Sequence, residues 1–154
     1  MISVQDGQAR ILAQLTTVTS PEWLPVGRAL LRVLAEDLRA PFDVPPNDNS
    51  AVDGYAIASS DIPTEGRRSL TVIADLPAGS VFEGTMLGGQ TLRIMTGAPM
   101  PPGLDTVVPQ EDVERAGNEA KIPSIAKGAN VRLRGEDVRA GEVVLQPGSI
   151  LRPQ

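Results

Sequence analysis

Residues 45–56 read PPNDNSAVDGYA, and this stretch marks the point where the chain leaves a helical beginning and enters a β-rich region. Asp48, Asn49 and Ser50 have short polar side chains of the kind that bond to their own backbone in turns and caps. Asp53 is followed by Gly54, which tolerates a positive φ. On residue chemistry alone, these features favour a structural turn over a catalytic site.

The residues before this loop predict two helices. The first begins after Ser3, whose capping pattern includes Asp6, and ends near Val18 because Ser20-Pro21 breaks it. The second begins at Pro25, which is tolerated in a first turn. Its apolar stripe consists of Val26, Leu30, Val33 and Leu34. Packing into a core is the preferred interpretation of both helices, and a partner interface is the alternative.

The region after the loop alternates short apolar segments with Gly- and Pro-rich connections. Alternation and β-branched content predict strands at residues 55–58, 70–74, 91–95, 106–108 and 131–134. Residues 143–151 are predicted to form a hairpin around a Pro-Gly corner. The predicted fold class is therefore mainly β with two N-terminal helices (α+β), and its β module is coiled or barrel-like.

The composition limits the chemistry that the chain can perform. Its 154 residues carry a net charge of −5, which argues against a nucleic-acid-binding surface. The chain has no His and no Cys, so imidazole catalysis, thiolate nucleophiles and the usual zinc ligands are excluded. Carboxylates, hydroxyls, Arg and hard cations remain. No apolar run reaches the roughly 20 residues of a membrane span, and no signal sequence is evident, so a cytoplasmic location is expected.

A second polar cluster is RIMTGAPMPPG, at residues 93–103. It ends a predicted strand with the hydroxyl of Thr96 and the small residue Gly97. This combination suits contact with a phosphate or another oxyanion. A Gly- and Pro-rich loop between strands explains the stretch about equally well.

A third polar cluster is NVRLRGED, at residues 130–137. Side chains alternate along a strand, so Arg132 and Arg134 are predicted to share one face. Two neighbouring guanidinium groups suit the oxygens of phosphate or a molybdate-like anion. Glu136 and Asp137 could hold a divalent ion against the same anion. A solvated edge strand with alternating charges is the alternative.

Taken in order, these stretches resemble the MoeA-type molybdopterin molybdenumtransferases, a family whose relatives include the E domain of gephyrin. The resemblance covers nearly the whole chain. It rests on GRALLRVLAEDLRAP (27–41), VPPNDNSAVDGYA (44–56), RIMTGAPMPPGLDTVVPQED (93–112) and NVRLRGEDVRAGEVVLQPGSIL (130–151). The second and third of these stretches are hard to obtain by chance.

The resemblance implies two modules: a linking and dimerisation module at residues 1–46 and 131–154, and an inserted β-rich module at residues 47–130. Members of the family insert molybdate into adenylylated molybdopterin and release AMP with the help of Mg²⁺. They act as homodimers, in which the site lies between the β-rich module of one subunit and a molybdopterin-binding domain of the other. A pterin adenylyltransferase is a further expected partner.

The family's functional acids, carried over by position, fall on Asp53 and Asp137. Both are expected to be catalytic and to position the metal ion or molybdate. Substrate or oxyanion binding is expected from a further set of residues: Thr96, Gly97, Arg132, Arg134 and Ser50.

Two positions beside this expected site depart from the family pattern. Asn47 stands where an aromatic residue is usual, and Val52 stands where Met is usual. Both departures are expected to alter contacts with the pterin or the adenylate, although the acids are retained.

The family's molybdopterin-binding and C-terminal domains have no counterpart in this sequence. The resemblance therefore implies one half of a composite site, and the region alone is expected to be catalytically silent. The alternative comes from another functional class: a non-catalytic dimerisation or protein-docking module.

Overall fold

The computed structural model of the chain describes residues 2–16 and 20–153. Their contacts divide the chain into two compact units, one formed by residues 1–37 and 145–154 and the other by residues 38–144. This division does not test the predicted linking and inserted modules, which stay a prediction.

The first unit contains one α-helix, α1 (Val4–Leu12). Its predicted start is confirmed, because the Ser3 hydroxyl accepts a hydrogen bond from the Asp6 backbone N–H at 3.0 Å. The helix ends at Leu12, with Ala13 as its C-cap, so the prediction that it continues to near Val18 is wrong, although residue 18 itself lies outside the described residues. None of the residues of α1 is buried. No helix in the described part of the chain combines the length and the apolar character needed to cross a bilayer.

The second predicted helix is wrong. Only a three-residue 3₁₀ turn forms, at Val26–Arg28, and Leu31 then adopts a left-handed φ of 61°. The following backbone pairs instead with the chain's last residues: the Leu31 N–H donates to the Leu151 carbonyl, and the Leu34 N–H donates to the Ser149 carbonyl. These tertiary hydrogen bonds override the helical periodicity of the segment.

The predicted hairpin at residues 143–151 is also wrong. Strand β10 (Val143–Leu145) pairs with β1 (Leu38–Arg39), and Ile150 bridges to Val33. The turn itself forms, with a hydrogen bond from the Ser149 N–H to the Gln146 carbonyl. The segments on either side of the turn therefore pair with different parts of the chain.

The second unit is built on a six-stranded mixed sheet, which confirms the mainly β fold. The strands are β3 (Gly54–Ile57), β4 (Arg67–Leu76), β5 (Gln90–Ile94), β6 (Thr106–Pro109), β7 (Glu114–Ala116) and β8 (Glu119–Pro123). Their order is β6-β3-β5-β4-β8-β7, and only the β4–β5 pair is parallel. Strands β3 to β6 lie where the sequence predicts them, whereas β7 and β8 were not predicted.

A separate two-stranded ladder joins β2 (Asn49–Ser50) to β9 (Val131–Arg132). The strand predicted at residues 131–134 therefore ends at Arg132. The chain turns there because the Leu133 N–H bonds to the Glu136 carboxylate and the Arg134 N–H bonds to the Asp48 carboxylate. The predicted common strand face of Arg132 and Arg134 does not form.

Apolar side chains cover both faces of the sheet, as expected from alternation along buried strands. One cluster contains Tyr55, Ile57, Leu70, Val72, Val108, Ala120 and Ile122. The opposite cluster contains Ala56, Leu76, Leu92, Ile94, Ala98, Leu104 and Val107. All four residues of β3 are buried, so this strand fixes the positions of the loops at its ends.

Gly54 tests how tightly β3 is packed. A Cβ atom at this position would lie 2.1 Å from the Val108 carbonyl oxygen, which belongs to the paired strand and cannot rotate away. We expect Gly54→Ala to lower the free energy of unfolding by about 3 kcal/mol, as overpacking against backbone does. Chemical denaturation measures this loss.

Gly88→Ala is the matched control, because an added Cβ there has no heavy atom within 4 Å. It should change the free energy of unfolding by no more than about 0.5 kcal/mol. A Gly54→Ala variant as stable as this control would contradict the packing of β3 against β6.

Candidate functional site

The sheet brings Asp53 and Thr96 together. Gly54 of β3 pairs with Ile94 of β5 in antiparallel register, so the residue before one strand lies beside the residues after the other. Asp53 Oδ1 accepts hydrogen bonds from the Thr96 hydroxyl at 2.7 Å and the Thr96 backbone N–H at 2.8 Å. Two stretches separated by 43 residues thus meet at one carboxylate.

Asp53 is poised as a charged, accessible carboxylate. The hydrogen bonds from the side chain and backbone of Thr96, together with the charge of Arg93, lower the pKa of Asp53 below its ordinary value. Both hydrogen bonds fall on Oδ1, which leaves Oδ2 for a cation or another donor. The arrangement fixes the orientation of the carboxylate and keeps it ionised.

The side chain of the loop residue Ser50 is buried and forms a hydrogen bond within its own loop. It is only 1% exposed, and its hydroxyl donates to the Val52 carbonyl within its own loop. Its backbone N–H donates to the Ala98 carbonyl, and its carbonyl accepts from the Gly97 N–H at 2.9 Å. Gly97 itself is exposed and has a φ of +82°, which favours glycine. The structure therefore brings Gly97 to the surface and leaves the Ser50 hydroxyl inside.

Arg132 and Asp137 form a second polar pair. Arg132 Nη2 donates to Asp137 Oδ1 at 2.5 Å, and Arg132 Nε donates to Glu136 Oε1 at 3.3 Å. These two carboxylates raise the pKa of Arg132, and the hydrogen bond that Arg132 donates to Asp137 has the larger effect. Because Arg132 pairs with Asn49 in the β2–β9 ladder, this pair is anchored to the same loop that precedes Asp53.

Arg134 lies in a different environment from Arg132. Its guanidinium donates to the Asp43 carboxylate, which is also bonded by the Ala140 N–H at 2.8 Å. The Ala140 N–H and Arg134 lower the pKa of Asp43. The charge of Arg134 is therefore compensated by Asp43, and the two arginines do not form the side-by-side pair that the sequence predicts.

The carboxylates suit a hard cation in type but do not form a complete site by themselves. Within residues 2–16 and 20–153, no group of three or more Asp or Glu side chains converges on a common point. Asp53 and Asp137 each keep an oxygen outside the hydrogen bonds described above. Mg²⁺ is commonly held by one or two carboxylates together with waters and substrate phosphates, and these residues fit that role.

Arg93 is a residue of this region that was not predicted to belong to the site. Its Nη2 donates to Gln110 Oε1 at 2.9 Å, and the Gln110 N–H donates to the Asp53 carbonyl at 3.0 Å. Its positive charge contributes to the low pKa of Asp53. Its position in the RIMTGAP stretch was the available signal, but its side-chain direction depends on strand register.

Comparison with known proteins identifies a family over almost the whole chain. The family described as MoeA N-terminal region (domain I and II) matches residues 2–154. A molybdopterin molybdenumtransferase from Haemophilus influenzae is 37% identical over 155 residues, which cover 99% of this chain and 38% of that relative. Molybdopterin molybdenumtransferase 2 from Mycobacterium tuberculosis is 38% identical, with the same coverage of both chains.

Solved structures agree with the family match. A molybdopterin biosynthesis moeA protein from Pyrococcus horikoshii OT3 superposes with a TM-score of 0.81 and 43% identity, covering 86% of this chain and 36% of that one. A second crystal structure of a molybdopterin biosynthesis moeA protein from Pyrococcus horikoshii superposes with a TM-score of 0.83 and 29% identity, covering 99% of this chain and 40% of that one. The chain thus spans well under half the length of the relatives that it matches.

The contact between Asp53 and Thr96 is testable by titration. In the variant Thr96→Val the hydroxyl donor is lost while the backbone N–H stays, so the pKa of Asp53 should rise part of the way to its ordinary value. Thr96→Ser keeps a hydroxyl and should keep the lowered pKa. Carbon-13 NMR of the Asp53 carboxyl group measures both.

The sign of the stability effect follows from the direction of the shift. Because the pKa of Asp53 is lowered in the folded protein, its stabilisation is complete above the ordinary pKa and is lost as the pH falls through the folded value. Thr96→Val should therefore lose less stability on acidification than the wild type. Identical Asp53 titration in the wild type and Thr96→Val would refute the contact.

Proposed function

The chain belongs to the MoeA N-terminal region family, and from this premise we propose that it forms the N-terminal part of an enzyme of molybdenum cofactor biosynthesis. The proposed reaction inserts molybdate into adenylylated molybdopterin and releases AMP. The observation that carries the proposal is the meeting of Asp53 and Thr96, which joins two of the family-like stretches at one oriented carboxylate. The bacterial relatives are named molybdopterin molybdenumtransferases, and these names support the proposed transfer of molybdenum to molybdopterin.

In this proposal Asp53 and Asp137 are the catalytic acids. Each is held through one oxygen, Asp53 by Thr96 and Asp137 by Arg132, so each can offer the other oxygen to a cation. Mg²⁺, when bound, supplies positive charge that offsets the phosphate and molybdate oxygens. Without a cation, two carboxylates beside an anionic substrate would repel it.

Arg132 has two roles in the proposed site. Its bonds to Glu136 and Asp137 use Nε and Nη2, which orients the Asp137 carboxylate and leaves Nη1 for a phosphate or molybdate oxygen. Gly97 allows a substrate to approach the backbone closely because it has no side chain. Arg134 is proposed to contribute less than Arg132 to anion binding, since Asp43 compensates its charge.

The remainder of the site is proposed to come from a molybdopterin-binding domain of a second subunit. The chain spans 38% of the length of the two bacterial relatives, so the activity of the whole protein requires more than these residues in our proposal. The substrate would be supplied by a pterin adenylyltransferase, which remains the expected partner.

The proposed homodimer interface consists of exposed apolar side chains of the first unit. Trp23 is 93% exposed and Val26 is 92% exposed, and Leu30 and Leu31 are also exposed. Large exposed apolar groups of this kind mark protein interaction sites. The same surface supports the second candidate function, a non-catalytic dimerisation or docking module.

Reconstitution tests the catalytic proposal. When a protein that also carries the molybdopterin-binding domain is given pterin adenylate, Mg²⁺ and molybdate, we expect cofactor formation by the wild type. Asp53→Asn and Asp137→Asn should each reduce the rate by about 100-fold or more, because a charged group acting on the reacting atoms is lost. The control Glu119→Gln, at an exposed position on β8, should retain full activity. Undiminished activity of Asp53→Asn would count against the proposal.

Sedimentation tests the interaction surface. We expect the chain to sediment as a dimer and Trp23→Asp to shift it towards monomer, because a charge on an apolar interface is destabilising. Leu87→Asp is the matched control: Leu87 is also exposed, at 64%, but it lies in the second unit. A wild-type chain that stays monomeric at high concentration would argue against both the homodimer and the docking module.

A further inference from the structure

Asp48 is a further carboxylate of the loop that leads to Asp53. It is exposed, and together with Arg134 it lines a surface cavity of about 570 Å³. An exposed acid on such a wall has the chemistry of a third catalytic acid or of a ligand for a cation. Its hydrogen bonds favour a different role.

The Asp48 carboxylate holds the backbone of a distant stretch. Its Oδ1 accepts a hydrogen bond from the Arg134 backbone N–H at 2.7 Å, across 86 residues of sequence. A hydrogen bond to a charged acceptor is stronger than one between neutral groups. The bond falls where the chain leaves strand β9, two residues after Arg132. Asp48 therefore contributes to the point at which this strand ends and the following turn begins.

This turn carries the second polar pair of the candidate site. The Leu133 N–H donates to Glu136 Oε2 at 2.9 Å, and Glu136 Oε1 accepts from Arg132 Nε at 3.3 Å. Arg132 also donates to Asp137. One guanidinium and two carboxylates therefore depend on the path of the backbone between them, and the Asp48 carboxylate holds that path near its middle.

Two backbone hydrogen bonds hold the later part of the turn. The Gly135 N–H donates to the Pro45 carbonyl at 2.9 Å, and the Asp137 N–H donates to the Val44 carbonyl at 2.9 Å. Both lie after the residue that Asp48 holds. Loss of the Asp48 side chain is therefore expected to change the course of the turn next to β9 without unfolding it.

The main chain of Asp48 is bonded to the loop that follows Thr96. Its carbonyl accepts a hydrogen bond from the Met100 N–H at 2.9 Å. One residue is thus connected to the loop of Thr96 through its backbone and to the turn of Asp137 through its side chain. A substitution of the side chain removes only the second connection.

We infer that Asp48 is a positioning residue, which orients the Arg132–Asp137 pair by holding the backbone of the turn between them. The inference rests on the proposed function for the reaction that this pair serves, whereas the contact itself does not depend on that reaction. Asp48 acts as a hydrogen-bond acceptor, and its charge is not required. In this it differs from Asp53 and Asp137, which are proposed to act through their charge.

Proton–nitrogen NMR of the Arg132 Nε–H group in the full chain tests this role without substrate. In Asp48→Ala the acceptor is lost, so the Nε–H signal should shift and its exchange with water should become about tenfold faster, the effect of one weakened hydrogen bond. Asp48→Asn keeps an acceptor oxygen and should restore the wild-type signal and exchange rate. This rescue separates the acceptor from the charge.

Asp105→Ala is the matched control. Asp105 Oδ1 also accepts a backbone N–H, from Ser59 at 2.8 Å, but it lies at the opposite end of β3 from Asp53. Its loss should leave the Arg132 signal as in the wild type. The amide signals of β3 to β6 in the same spectra show for each variant that the sheet is folded.

Two results would overturn the inference. One is a wild-type Arg132 signal in Asp48→Ala. The other is an equal change of that signal in Asp48→Asn and Asp48→Ala, because the charge and not the acceptor would then be required. If Asp48→Ala does not fold, a folded Asp48→Asn protein decides: a wild-type Arg132 signal supports the inference, and a shifted signal refutes it.

Turnover by a protein that also carries the molybdopterin-binding domain separates the inference from the proposed function. Asp48→Ala should lower the rate of cofactor formation by up to about 100-fold, the cost of a misplaced group, and Asp48→Asn should restore most of it. If the Arg132 signal responds as described but Asp137→Asn leaves cofactor formation undiminished, the contact stands and the catalytic proposal is wrong. If Asp53→Asn and Asp137→Asn both lose activity but the Arg132 signal ignores Asp48→Ala, only the positioning role is wrong.

Discussion

The candidate site depends on the backbone pairing of two residues, Asn49 and Ser50. On one edge this short strand pairs with Val131 and Arg132, and on the other it exchanges hydrogen bonds with Gly97 and Ala98. Three stretches that are far apart in sequence are thereby fixed side by side. The polar groups of Asp53, Thr96, Arg132 and Asp137 follow from this arrangement, since each lies within a few residues of the paired backbone.

The local sequence pattern correctly predicted the central strands of the sheet. The strands from β3 to β6 are rich in apolar and β-branched residues and are flanked by turn residues, and they lie where they were predicted. The segment after Pro25 has helical spacing, but its backbone finds better partners in residues 149–151. The hairpin of β7 and β8 was missed, although Gly117-Asn118 between them is a recognisable turn signal. Long-range pairing therefore explains the error after Pro25, whereas the β7–β8 hairpin is a local feature that the sequence could have predicted.

The sequence pointed to candidate site residues, but it did not predict their geometry. The motifs shared with the family pointed to Asp53, Thr96, Arg132 and Asp137. They did not predict which of these side chains form hydrogen bonds with each other. Whether Arg134 shares a face with Arg132 depends on where β9 ends, and a carboxylate from an earlier loop ends it. The contribution of Arg93 depends on sheet register. None of these facts is encoded in one local stretch.

Native-state hydrogen exchange tests most directly whether the three stretches form one unit. The amide protons of Ser50 and Gly97 are donors in the pairing, and that of Thr96 bonds to Asp53. The account predicts that all three exchange slowly and with a common opening free energy, because each can open only when the pairing around Asn49 and Ser50 opens. Independent exchange of the Thr96 and Gly97 amides, at the rate of an exposed loop, would contradict it.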